Sequence, residues 1–173
     1  MPTVKIEKIL HTLIALLLAV FVYVIYDSFR EHVVVLGDSA PDFNITADNG
    51  KAYSASSFGG KLLVLNFWAT WCPPCIDEIP SLDQFQKRFA KDGVVVLAIS
   101  VDKDEKAYRN FLSRAKVSFT TARDPDAKIN LEYGTAKFPE TYVIDGKGKV
   151  VRKLVNSQDW MSQRMVSDIQ SLL

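Results

Sequence analysis

The chain has only two cysteines in 173 residues, too few for the disulfide framework that small secreted domains use in place of a core. Histidine is equally scarce, with only His11 and His32 present. A structural zinc site has too few ligands of the usual kind, and a metal chaperone would need C-x-x-x-C with a partner histidine, so no metal site is expected. Charge of one sign is also missing. Lys and Arg number 21 against 20 Asp and Glu, a net charge of +1, and no basic cluster is interleaved with aromatics, so no nucleic-acid partner is expected. Internal repeats and low-complexity tracts are absent as well.

Apolar residues are plentiful but unevenly spread. "ILHTLIALLLAVFVYVIY", Ile9 to Tyr26, runs 18 residues without Asp, Glu, Lys or Arg. As a helix it reaches about 27 Å, close to the hydrocarbon thickness of a bilayer. A cleavable signal peptide is the rival reading, because Lys5 and Lys8 precede the run. The run ends in "YVIYDSFREH", however, without a small-residue cleavage site. The expectation is an uncleaved anchor, with His11 at headgroup level. Lys5 and Lys8 before the span, against Arg30 alone soon after it, favour a cytoplasmic N-terminus and an exported C-terminal part. The expected division is a cytoplasmic tip and anchor over 1–28, a linker over 29–37 and one domain over 38–173. "REHVVV", Arg30 to Val35, fits either an edge strand or a stalk.

Within the domain, "DFNIT" and "KAYSA" read as a short hairpin about Asp48-Asn49-Gly50, where Asn-Gly supplies the positive φ of a tight turn. "KLLVLNFWA" and "GVVVLAISV" are near-continuous apolar runs suited to strands buried on both faces. Between them a helix should begin at Pro73 or Pro74 and turn Ile76, Ile79, Leu82, Phe85 and Phe89 inward, with a kink at Pro80. A polar-faced helix over "DEKAYRNFLSRA" follows, and "DPDAKINLEYG" opens on a cap signal and stops at Gly134. "ETYVID" and "KVVRKLV" pair across Gly146-Lys147-Gly148, and "DWMSQRMVSDIQSLL" closes the chain as an amphipathic helix. This order predicts an α/β, thioredoxin-like fold with an N-terminal β-hairpin and a central insertion, preceded by one transmembrane helix.

The two cysteines fall in "NFWATWCPPCIDEIP", at the start of the first helix of that domain. Cysteines at i and i+3 on a helical turn have Cα atoms roughly 5–5.5 Å apart, which a disulfide accepts without backbone movement. The helix N-terminus favours thiolate at Cys72, making it the attacking sulfur and Cys75 the resolving one. Pro73 and Pro74 bring no N–H, so they remove donors that would otherwise stabilise the thiolate. That predicts a reductant rather than an oxidant. Glu78, one turn beyond Cys75, can take and return the proton of the resolving thiol. A solvated carboxylate like Asp77 is the alternative. Asn66 favours the first reading, since the strand position behind the pair carries a neutral amide instead of an acid. Trp71 should shield the pair, whereas Trp68 and Trp160 read as core.

"LVLNFWATWCPPCIDEIPSL" together with "LEYGTAKFPETYVIDGKGKVV" resembles the TlpA/ResA/CcmG group of membrane-anchored thioredoxin-like proteins, and the likeness covers Leu36 to Leu173. The resemblance implies a Cys72–Cys75 redox disulfide, Glu78 as acid/base, and Pro139 as a cis-proline that faces the disulfide and offers a strand edge to substrate. The substrate surface would comprise Trp71, Pro73, Pro74, Phe138 and Pro139. The C-P-P-C dipeptide and the bulk of Phe138 depart from the commoner pattern. The group reduces particular protein disulfides outside the cytoplasm, such as heme-site cysteines of apocytochrome c or copper-site assembly proteins. Its implied partners are a disulfide-containing client, a membrane electron donor of DsbD or CcdA type and the bilayer, with no cofactor.

Three rival readings stand beside this one. A peroxiredoxin would carry a single cysteine after P-x-x-x-T-x-x-C, which is missing. A general disulfide oxidase or isomerase would share the same pair at a higher potential. A binding module with an inert disulfide would be insensitive to dithiothreitol.

Overall fold

The computed structural model describes residues 3–28 and 33–173, with side chains described from Glu7 to Tyr26 and from Val33 onward. Arg30 and His32 lie outside the described residues, as does the first half of "REHVVV". The chain forms two compact units, Met1–His32 and Val33–Leu173. In the first, α1 (Thr3–Ser28) is one helix. Its stretch Glu7–Tyr26 has a mean hydropathy of 2.5, none of it buried, and is long and apolar enough to cross a membrane.

The second unit opens with β1 (Ile45–Thr46) and β2 (Ala52–Tyr53), an antiparallel pair. Gly50 turns the hairpin at φ 77°, as expected of Asn-Gly. Then come β3 (Leu62–Trp68), α2 (Pro73–Phe89), β4 (Val94–Ser100), α3 (Glu105–Ala115), β5 (Thr120–Arg123), α4 (Lys128–Glu132), β6 (Glu140–Asp145), β7 (Val150–Val155) and α5 (Gln163–Gln170). The five-stranded sheet has the order β5-β4-β3-β6-β7. β3, β4 and β5 are parallel, and β6 and β7 are antiparallel to their neighbours. This is a thioredoxin-like α/β fold in which β5 and α4 form the central insertion.

The period-2 geometry of a strand sorts β3 onto two faces. Leu62, Val64 and Trp68 pack with α2, α3 and α5. Leu63, Leu65 and Phe67 pack with Phe43, Ile45 and Phe58 from the N-terminal segment and with Ile129 and Tyr133 from the insertion. Asn66 thus occupies the α2-facing row, the one polar position among apolar neighbours.

Several expectations need correction. β5 was not anticipated from the sequence. α4 does not start on an aspartate cap: Ala127 is its N-cap, in the left-handed region at φ 54°, while Asp124 accepts the N–H of Ile129 inside the turn. α5 begins only at Gln163, where Ser162 accepts the N–H of Met165. Pro80 lies inside α2, as expected. Val33–Gly37, expected in the linker, is fastened to the domain: Val34 is fully buried and donates to the Tyr133 carbonyl, and Gly37 donates to Val150.

Candidate active site

β3 delivers the chain to the sheet's C-terminal edge, and the loop Ala69–Trp71 carries it into α2. A buried carboxylate from the end of the neighbouring strand fixes that loop. Asp102, only 2 % exposed, accepts the Thr70 N–H at 2.9 Å and the Thr70 hydroxyl at 2.7 Å. Ser100 completes the cluster by donating to the same carboxylate at 2.6 Å. The Cys72 N–H then turns back to the Ala69 carbonyl.

Cys72 is the N-cap of α2, with Pro73 and Pro74 in the first two helical positions. Cys72 and Cys75 form a disulfide with Cα atoms 5.3 Å apart, within the expected range. Both cysteines are buried, Cys75 completely, while Pro73 and Pro74 are exposed. Because the prolines have no N–H, the first amide N–H of the helix is that of Cys75. It is shared between the Cys72 carbonyl at 3.0 Å and Cys72 Sγ at 3.3 Å.

Glu78 is buried on the same helix, one turn past Cys75. Asn66 Nδ2 donates to its Oε1 at 2.9 Å and also to the Thr141 hydroxyl at 2.9 Å. On the other oxygen, the Gln158 backbone N–H donates at 3.0 Å and the Trp160 indole N–H at 3.3 Å. Burial raises the Glu78 pKa above the ordinary carboxylate range, and these three donors pull against it. The solvated-carboxylate alternative therefore does not describe this residue. Trp160 is core, as expected, but its indole is also a site donor. Nothing in the sequence could have revealed that, because its partner lies 82 positions away.

The Phe138–Pro139 peptide bond is cis, and the Pro139 carbonyl accepts the N–H of Asn156. Phe138 meets Trp71 edge to face, ring centroids 5.8 Å apart. Trp71 is 63 % exposed, so it flanks the pair as an open aromatic surface rather than a closed cover. The structure thus gathers Trp71, Cys72, Pro73, Pro74, Cys75 and Glu78 on one helix and its lead-in, and places Phe138 against Trp71.

A Cys-x-x-Cys disulfide at the N-terminus of the helix that follows a central strand of this sheet defines a thioredoxin-like thiol-disulfide oxidoreductase. Residues 36–153 match the AhpC/TSA family. The thiol-disulfide oxidoreductase ResA of Bacillus thuringiensis subsp. konkukian is 33 % identical over 129 residues, 75 % of each chain. ResA of Bacillus subtilis is 34 % identical over 137 residues, 79 % of this chain and 75 % of that one. A Chlorobium tepidum structure assigned as a thiol:disulfide interchange protein of DsbE type superposes with a TM-score of 0.74 at 29 % identity. The likeness covers 80 % of this chain and 98 % of that one. The chain belongs to the AhpC/TSA family and, within it, to the ResA-type thiol-disulfide oxidoreductases, enzymes whose substrates are disulfide-containing proteins.

Proposed function

We propose that this enzyme is a membrane-anchored reductase of specific protein disulfides, acting on the extracytoplasmic side of the cytoplasmic membrane. α1 spans the bilayer with its N-terminus inside, in keeping with Lys5 and Lys8 on that side. The Cys72 thiolate attacks one sulfur of a client disulfide. The client S–S bond breaks, a mixed disulfide forms and one client thiolate leaves. Glu78 takes the proton of Cys75, whose sulfur then attacks Cys72 Sγ and releases the second client thiolate. Two electrons pass to the client, the pair ends as the Cys72–Cys75 disulfide, and the proton on Glu78 is returned to the departing sulfur.

Trp71, Pro73, Pro74, Phe138 and Pro139 form the client-facing surface. The clients are apocytochrome c heme-site cysteines or copper-site assembly proteins, and a membrane donor of DsbD or CcdA type returns the electrons. The observation that carries the reductive direction is the Pro73-Pro74 pair. Among the described residues it leaves one amide contact to the Cys72 sulfur, that of Cys75, to stabilise it as thiolate. The full chain in detergent micelles, equilibrated in dithiothreitol or glutathione buffers and read by thiol alkylation, should give a potential at or below about −270 mV. A value above about −150 mV would make the protein a disulfide-forming oxidant and overturn the reductase reading.

A further inference from the structure

The donors around Glu78 are all uncharged. Asn66 comes from β3, Gln158 and Trp160 from the segment between β7 and α5, and among the described residues no Lys or Arg bonds to the carboxylate. A cation there would pin the group ionised, and an apolar wall would pin it protonated. Neutral donors do neither, which suits a residue that must change charge within one catalytic cycle.

The orientation of the donors is also determined. Asn66 can face a carboxylate only with its NH2 end, and that same nitrogen reaches Thr141. The Trp160 indole is held by its own backbone N–H, which donates to Ser81 Oγ at 3.3 Å. Ser81 in turn donates to the Glu78 carbonyl at 2.9 Å. The same segment begins at Asn156, whose N–H is bonded to Pro139.

We propose that Asn66 and Trp160 are positioning residues. With the Gln158 amide they grip both oxygens of Glu78 behind the cysteine pair and keep that carboxylate able to gain and lose a proton, and the Asn156–Trp160 segment ties this grip to the cis-proline loop. The inference rests on the reading of Glu78 as the acid/base of the reaction. The titratable groups near Glu78 are few. α2 contributes the cysteine pair and the exposed Asp77, and the β7–α5 segment contributes the exposed Asp159. From β3 and β6, Asn66 reaches the carboxylate and Thr141 accepts from Asn66, while Glu140 of β6 is engaged by Tyr142 and Lys153.

The test is the pH profile of a single turnover. The reduced full chain in detergent micelles reacts with oxidised glutathione, and the rate at which Cys75 resolves the Cys72–glutathione mixed disulfide is followed by acid quench from pH 5 to 9. Glu78→Gln should remove the Glu78-linked inflection. Trp160→Phe keeps the ring but loses the N–H, so it should retain the inflection and move it up by about one pH unit. In the Glu78→Gln background, Trp160→Phe should move nothing further.

If Glu78→Gln leaves the inflection in place, the acid/base reading itself fails. If Glu78→Gln removes it but Trp160→Phe leaves it unmoved, the acid/base reading stands and the positioning role is wrong. Should Trp160→Phe not fold, Asn66→Leu removes the opposite donor at nearly the same size and is judged by the same shift.

Discussion

Asp102 holds Thr70 by both its backbone N–H and its hydroxyl, so a buried carboxylate at the end of β4 anchors the loop that presents Cys72. Asp102→Ala would strand the Thr70 amide and the Ser100 hydroxyl without their acceptor, at a cost of about 2–4 kcal/mol of domain stability. Denaturant unfolding followed by tryptophan fluorescence measures this. A midpoint matching the wild type would show that the loop does not depend on Asp102.

The raised pKa of Glu78 has a signed consequence for stability. The unfolded carboxyl ionises in the ordinary range near 4.3, while the buried one still holds its proton. As pH rises from that range through the higher native value, the folded state binds more protons than the unfolded state. The Glu78 contribution to stability is therefore full below the unfolded pKa and is lost across that window. Urea midpoints of the oxidised protein should fall over this interval in the wild type and fall less in Glu78→Gln. Parallel curves for the two proteins would mean that Glu78 is not the group responsible.

The residues that revealed themselves in sequence were those whose partners are local. Cys72 and Cys75 are one turn apart, Asn49-Gly50 specifies its own turn, and the apolar runs of β3 and β4 need no partner to be recognised as buried strands. β5 failed that test. Thr120–Arg123 has only four residues and no apolar run, and it is a strand because it lies in register with Leu97–Ser100 of β4. α4 was legible as a helix but not in its start, because Ala127 turns by backbone conformation alone. At the site, Asn66 was readable as a neutral residue behind the cysteines, but its role as a donor to Glu78 required the alternation of β3 against a particular turn of α2. Trp160 and the Gln158 amide were beyond reach, since they approach Glu78 through a segment some 80 positions away.

Pro74 occupies the second helical position, where any other residue would point an N–H towards the N-cap sulfur. Pro74→Ala should add a donor beside the existing one from Cys75, favour the thiolate, and raise the reduction potential by about 20–40 mV. Redox equilibration against glutathione reads the change directly, and the thiolate absorbance of Cys72 should titrate at lower pH. An unchanged or lower potential would dissociate the proline pair from the reductive direction proposed for the site.

Phe138 supplies the final test, because it touches Trp71 and contributes no reacting atom. If the two rings receive the client, removing one should weaken protein recognition while sparing the chemistry. Burying part of an aromatic ring is worth roughly 1–2 kcal/mol, so Phe138→Ala should lower kcat/KM for a peptide disulfide with apolar flanks by about tenfold. Its rate with oxidised glutathione, which offers no such flank, should stay within about twofold of the wild type. Equal losses on both substrates would place Phe138 in the architecture of the disulfide itself, and the aromatic pair would no longer serve as the client-facing surface.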